Sequence, residues 1–488
     1  MTALMLLVAL SVPGGRGDLM LRLWRRFPEC RGVATGAYAG DGAAFLCRAR
    51  VSAGAVGGFL LTEKDRGENW GDLVACGASC RAGRFDASAG WLRASLGSGL
   101  VFSNASSWGA EAAGLDARPP GREGRLATAT GASTCEGEPL TGVSISSEIG
   151  DLTISGLQSW SRIDPSGDGL HRTDSERASR GSIHETVSAV RGVFGLAGLS
   201  LMRRSADGEE TLRAGADFGI DLGGQLLSGE AAVESDTASS CASWLALSRA
   251  ADRFRFCVAA FHTPGEFGEE RSSSPSGLDC DFGCGFAIRW RPSTGWLGAL
   301  SISGGEAGGE SGQRGNLEVS RRVSPNLEFL GGARAFLAEG GSSWRETLRI
   351  SWKVSPATSL SLKFQSTSAS EGDSGECGGA VEAQLRLSPI RALSTAVGCA
   401  AFSTAGYDSR AYCGELGFPG ETGSCAVWGR GFLLQGSAAF SLGGGAQIRA
   451  RFSRLSRENV ESLGSGLEET RGPVRTEAGV QVELPLGS

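Results

Sequence analysis

Leu348-Arg349-Ile350-Ser351-Trp352-Lys353-Val354 sets four apolar side chains against three polar ones in strict alternation. A strand sends successive side chains to opposite faces, so this heptapeptide reads as one apolar and one polar face. The same alternation runs through Leu360-Ser361-Leu362-Lys363-Phe364-Gln365, through Ala446–Ser453 and through Val480-Gln481-Val482-Glu483-Leu484. It recurs at near-regular spacing from Leu19 to Leu486, with hardly a helical stretch between. One apolar and one polar face, repeated at near-regular spacing over a whole chain, predicts an all-β fold: a large single-chain antiparallel transmembrane β-barrel of roughly 22–26 strands, its lumen wet or plugged.

Composition agrees. Of 488 residues 76 are Gly, 41% are hydrophobic and 20% are charged. A barrel with a wet lumen needs no packed interior because its apolar side chains point outward. The net charge of −6 gives no bulk attraction to nucleic acid, though a local basic lining of the lumen would be hidden in that sum. No run reaches the roughly 18–20 apolar residues of a membrane-spanning helix. Thirteen cysteines are present. The pairs Cys76/Cys80 and Cys280/Cys284 have a metal-like spacing, but on a strand positions i and i+4 stand about 13 Å apart, too far to share one zinc. Cys413 and Cys425 are one candidate disulfide across a hairpin.

Residues 1–17 form a signal-like or residual upstream segment, with an apolar stretch Leu4–Val12 before Pro13-Gly14-Gly15. Residues 18–488 are the expected outer-membrane barrel. Strands are expected at 86–103, 409–417 and 425–440 among many others. Ser324-Pro325-Asn326, Ser355-Pro356-Ala357 and Gly443-Gly444-Gly445 read as short periplasmic-type turns. The stretches 104–137, 164–183, 263–277 and 456–474 are long, polar and Gly-rich, and suit extracellular loops or inward-folded plugs. Trp91, Trp160, Trp244, Trp290, Trp296 and Trp428 are candidates for interfacial girdles.

Four stretches stand out from the alternation. Glu63-Lys64-Asp65-Arg66-Gly67-Glu68 concentrates charge at a strand end, as a solvated hairpin loop or a pore-mouth patch. Gly97-Ser98-Gly99-Leu100 lacks the helix of a nucleotide-binding fingerprint and reads as a kink or close backbone approach. Gly169-Leu170-His171-Arg172-Thr173-Asp174-Ser175-Glu176-Arg177, continuing through Arg180 to His184, holds two of the chain's 3 histidines. It reads as a polar loop folded into the lumen and tied by Arg–carboxylate pairs. The competing reading there is hydrolysis, through His171 or His184 with Ser175 or Ser182. Tyr412-Cys413-Gly414-Glu415, Pro419-Gly420 and Trp428-Gly429-Arg430-Gly431 combine a turn with a site where Arg430 could be aimed into the lumen.

These stretches, in this order, resemble a family of predicted outer-membrane β-barrels, often fused to an N-terminal helix-hairpin-helix region similar to competence-type DNA-binding proteins. The family pattern of EKD-x-GE, GQGL, G-x-HRT-x-x-E and YE…PG…YG-x-G elements corresponds here to Glu63–Glu68, Gly97–Leu100, Gly169–Thr173 with Glu176, and Tyr412–Gly431. Ser98 stands where the family has Gln, Cys413-Gly414 separates Tyr412 from Glu415, and the helix-hairpin-helix region is absent. The resemblance implies the cell outer membrane, with membrane lipid and the barrel-assembly machinery as partners, and a solute or DNA as transported ligand.

The function expected is therefore a channel or transport conduit, not an enzyme. A barrel hydrolase and a secreted β-rich adhesin are the alternatives. The polar residues expected to matter are Glu63, Lys64, Asp65, Glu68, His171, Arg172, Asp174, Glu176, Arg177, Arg180, Glu415 and Arg430. Nothing in the sequence calls for a cofactor or a metal.

Overall fold

The computed structural model describes residues 14–97, 99–103, 127–129, 140–164, 171–235, 240–264, 267, 281–307, 310–372, 374–419, 421 and 423–487. Twenty-four antiparallel strands form a closed barrel. The first strand, Arg16–Phe27, pairs with Ala43–Ala53 on one side and with the last strand, Val474–Leu486, on the other. Closure removes the unpaired edge that an open sheet would expose in lipid. Two short segments, Phe102–Ser103 and Ala127–Ala129, also pair with the strand Phe85–Leu96.

The alternation read from the sequence maps onto the wall. Leu348, Trp352 and Phe364 point outward and are 44%, 48% and 41% exposed. Thr347, Arg349 and Gln365, one residue away in each case, point into the lumen. Large apolar side chains are exposed all round the outer wall, among them Leu199, Val233, Ile302, Val397 and Val480. In water such a belt would be an aggregation surface, whereas in a bilayer it is the solvated face. A two-sheet sandwich would have buried these side chains, which disposes of the soluble adhesin.

The two rims differ. One carries connections of two to five residues, such as 54–55, 83–84, 325–326, 356–357 and 442–446, together with both ends of the barrel. The other carries the long segments 28–42, 65–72, 97–139, 164–182, 263–281, 405–429 and 458–473. The expected loops 104–137 and 263–277 lie mostly outside the described residues.

The expected strand 409–417 and the first few residues of the expected strand 425–440 are not in the wall. Ala411–Gly414 and Ser424–Val427 pair only with each other. They form an inner hairpin, and the wall resumes at Arg430–Ser441. The hairpin's spare backbone groups are taken by lumen side chains: Tyr412 N–H donates to Gln365 Oε1 at 3.0 Å, Gly414 N–H to Glu382 Oε2 at 2.9 Å, and Leu416 N–H to Gln435 Oε1 at 2.6 Å. Period-2 patterning cannot tell a wall strand from a hairpin that finds its partners this way. Cys413 and Cys425 sit opposite each other in this hairpin, but both are free thiols. Burial pushes them up to about 11 and about 12.

The expected strand 86–103 ends at Leu96. Gly97 and Gly99 take φ of 66° and 110°, in the left-handed region that glycine tolerates, and turn the chain inward. A Cβ at Gly97 would lie 2.7 Å from Glu230 Oε1. Leu100, Val101 and Phe102 are then fully buried against Leu92, Leu96, Met202, Trp244 and Phe261. One side of the barrel is thus filled by an apolar core. Trp244 belongs to that core rather than to a girdle, whereas Trp160 and Trp296 are exposed on the outside. The opposite side, from Phe282–Trp290 to Thr358–Glu371, keeps cavities of about 680 and 280 Å³ lined by polar side chains along its inner wall.

Candidate functional site

The long-loop rim above the seam between first and last strands gathers most of the charged residues expected from the sequence. The strand Val56–Lys64 delivers Glu63 to the inside, where it is 6% exposed and its Oε2 finds no hydrogen-bond partner among the described residues. Lys64 is 1% exposed. Its ammonium donates to Asp41 Oδ1 at 2.9 Å and to Ala43 O, under the Trp70 ring. The expected solvated hairpin loop is therefore a buried one. Burial of the Lys64 ammonium is affordable because Asp41 and Ala43 O meet its charge: a buried ion without partners costs several kcal/mol.

Past Lys64 the chain turns on itself. Gly67 adopts φ of 86° beneath the Tyr38 ring, where a Cβ would come within 2.5 Å. Gly40 N–H donates to Gly67 O and Gly67 N–H to Asp41 O, each at 2.8 Å. Glu68, fully buried, accepts from Asp65 N–H at 2.9 Å and from His171 N–H at 2.8 Å. The two motifs, about a hundred residues apart, thus meet through a carboxylate and a backbone amide. Burial raises the carboxyls of Asp65 and Glu68 above their ordinary values. At Asp41 burial also acts upward, but the hydrogen bonds from Lys64 and Ala43 N–H bring it below.

His171 is clamped between two carboxylates. Nδ1 lies 2.6 Å from Asp72 Oδ2 and Nε2 lies 2.9 Å from Asp164 Oδ2. A carboxylate only accepts, so a ring nitrogen that carries a proton donates to the carboxylate facing it. Arg180 Nη1 donates to the other oxygen of Asp72 at 2.8 Å, and Gly181 N–H to Asp164 Oδ1. Both ring nitrogens of His171 thus face carboxylates. Ser175 Oγ lies 3.1 Å from Thr173 Oγ1, and His184 sits on the outward face of the strand Ile183–Phe194. Glu68, Asp72 and His171 have their donor atoms within 4.8 Å of one another, the one such group among the described residues. Those atoms are committed to each other and to neighbouring N–H groups.

The rest of the loop contains a short helix that its reading as a polar loop does not predict. Asp174–Ser179 is a single helical turn closed by a capping box, with Thr173 accepting from Glu176 N–H while the Glu176 carboxylate accepts from Thr173 N–H. Arg172 lies over the Tyr38 ring at 5.0 Å and donates to Glu468 Oε1 at 2.6 Å. Asp174 and Arg177 pair with each other in solvent, away from the cluster. Glu415 is half-buried at the hairpin, and burial raises its carboxyl. Arg430 is 73% exposed and pairs with Glu458 at 3.1 Å, so it does not enter the lumen as expected.

Several residues that hold this seam were not picked out from the sequence. Glu477 accepts from Arg26 Nε at 2.8 Å and from Arg66 Nη1 at 2.9 Å. Arg22 donates to Gln481 Oε1 at 2.7 Å, to Pro419 O at 2.9 Å and to Glu421 Oε1 at 3.2 Å. Arg451 joins Glu421 at 2.6 Å. Tyr38 donates to Glu468 at 3.1 Å, and burial pushes its phenol up to about 12. The available signal was the inward parity of Arg22, Arg26, Arg451 and Glu477 on their strands. Asp72 and Asp164, on short irregular segments, offered none.

A closed barrel with an apolar outer belt, a polar inner wall and one rim of long segments defines a transmembrane β-barrel of the outer-membrane type. No family model and no curated protein matches the chain. The helix-hairpin-helix association therefore rests on the sequence resemblance alone. Among solved structures, the chain is similar to the FrpB iron transporter from Neisseria meningitidis (F3-3 variant) at 10% identity and TM-score 0.42, covering 99% of this chain and 83% of that one. It is similar to an E. coli P pilus tip assembly intermediate, PapC-PapD-PapK-PapG, at 11% identity and TM-score 0.49, covering 96% and 60%. OpdQ of Pseudomonas aeruginosa matches at 7% identity and TM-score 0.35, covering 97% and 99%.

Proposed function

We propose that this protein is a solute conduit across the outer membrane. The observation that carries the reading is the asymmetry of the lumen. One side is packed solid by the inward-turned segment around Phe102, and the other keeps open, polar-lined space next to an inner hairpin. A structural scaffold would have no use for a wet wall bearing Arg289, Arg334, Arg349 and Gln365. The charged seam serves this function by fixing the loop rim. Its residues hold segments 28–42, 65–72, 171–182 and 458–473 to one another through ion pairs and hydrogen bonds.

The test is reconstitution of detergent-purified protein in planar bilayers. Stepwise single-channel openings support the conduit. A bilayer-inserted, heat-modifiable protein with no conductance at any voltage overturns it. DNA as cargo, which the sequence resemblance implies, would appear in the same bilayers as block of the current by added duplex.

A further inference from the structure

The open side of the lumen is strongly cationic. The cavity of about 680 Å³ is lined by Arg289, Arg334, Arg345, Arg349 and Lys363, with Glu318 as the carboxylate in its lining. Strand register sharpens the point. Arg334 stands directly opposite Arg345, and Arg349 directly opposite Lys363. Directly paired residues share a face, and like charges so placed repel. Lys363 has partial relief from Glu382 Oε2 at 3.7 Å. Arg289, Arg334, Arg345 and Arg349 make no ion pair among the described residues. Arg345 stacks on the Tyr412 ring at 4.0 Å, and its buried Nε has no hydrogen-bond partner.

The inner hairpin deepens the cationic field. Arg410 Nε donates to Tyr412 Oη at 3.0 Å on the side next to Arg345. Burial acts to raise the Tyr412 phenol, yet the neighbouring Arg410 and Arg345 bring it below its ordinary value. Lys363, on the wall strand Thr358–Glu371, reaches the hairpin, its ammonium donating to Tyr412 O. This contrasts with the seam, where Arg22, Arg26, Arg66, Arg172 and Arg451 all have carboxylate partners. The chain as a whole is acidic, with 53 Asp and Glu against 47 Lys and Arg, so the clustering is not a consequence of composition.

From these directly opposed cations, of which Arg334, Arg345 and Arg349 make no ion pair among the described residues, we propose that the open half of the lumen is a binding and selectivity site for small anionic solutes bearing carboxylate or phosphate groups. Rings and ladders of Arg and Lys set anion preference in pores, and guanidinium groups match oxyanions bidentately. An entering oxyanion between Arg334 and Arg345 would replace repulsion with two charge-assisted contacts. This rests on the conduit reading for transport, but not for binding, and the two are separable by experiment.

Two measurements on the full chain test it. The first is equilibrium binding of inorganic phosphate and of succinate to protein in detergent micelles, for the parent, Arg334→Gln and the Arg334→Gln/Arg349→Gln pair. Arg345 is left intact because it also supports the hairpin. The expected result is saturable binding weakened about tenfold in the double variant, equivalent to the loss of about 1.4 kcal/mol. The second is the reversal potential under a KCl gradient. Chloride should permeate at least about threefold better than potassium, with the preference falling to near parity in the double variant. Heat-modifiable mobility confirms that each variant is folded. Absence of phosphate and succinate binding in the parent, or potassium preference unchanged by the substitutions, overturns the inference. Binding without conductance would uphold the site and overturn the conduit.

Discussion

Asp72→Asn is the substitution through which the structure of the loop rim is most sharply tested. The Asp72 carboxylate takes His171 Nδ1 on one oxygen and Arg180 Nη1 on the other. An amide offers one accepting oxygen to those two donors and turns its own NH2 toward the second. The Asp72 and His171 side chains are 5% and 4% exposed, so most of the loss falls on that pair. Breaking one partner of a buried pair costs about 3–5 kcal/mol. Arg180 is 47% exposed, and its share is about 1 kcal/mol or less. Taking about 3 kcal/mol for the variant, the population in which segment 171–182 is released rises about 100-fold. Amide hydrogen exchange in detergent reads that population directly. Peptides covering 171–180, which include the His171 N–H held by Glu68, should exchange about 100-fold faster, while peptides from the strand Gly341–Ser355 keep the parent rate. Arg180→Gln should accelerate the same peptides less than about tenfold. If Asp72→Asn exchanges within about threefold of the parent, or if Arg180→Gln is the more damaging change, the clamp does not hold the loop and the reasoning is refuted.

Further outcomes follow from the same geometry. Leu348→Arg, on the lipid face, should cost about 2–4 kcal/mol of folding stability into vesicles, whereas Thr347→Arg, one residue along and facing the lumen, should fold like the parent; urea titration of heat-modifiable mobility separates them. Phe102→Ala empties a fully buried site and should cost about 3–5 kcal/mol. If the packed side is what narrows the lumen, it should also raise single-channel conductance. Asp65 and Glu68 have raised carboxyls, so their contribution to closure is complete below the ordinary carboxylate range and is lost as pH rises through their raised values. Exchange of the 171–180 peptides, corrected for intrinsic rate, should therefore slow as pH falls from neutral toward about 4.5, and Glu68→Gln should flatten that dependence. The Asp41–Lys64 contact runs the other way: it is present above the ordinary carboxylate range and is lost only as pH falls through the lowered value of Asp41.

The residue pattern by itself determined the class of this protein. Leu348–Val354 and its counterparts put apolar and polar side chains on opposite faces, and a chain of that length with no second apolar face to meet it has lipid as its remaining solvent. The short turns at 324–326, 355–357 and 443–445 were also legible, because Pro and Gly impose their backbone angles locally. The capping box at Thr173 and Glu176 has partners only three residues apart, yet the stretch reads as a polar loop without a helix. Tertiary structure alone decided where charge goes. Glu63–Glu68 looked like a surface loop because its burial depends on Tyr38, His171 and Glu477, which lie far away in sequence. Arg430 looked inward and is exposed because the hairpin Ala411–Gly414/Ser424–Val427 leaves the wall, a choice made by Gln365, Glu382 and Gln435 on other strands. Arg334 and Arg345 are unremarkable alternating residues in the sequence. They become a repelling pair only when register sets them opposite each other, and a register is a property of two strands together, which no single strand's sequence contains.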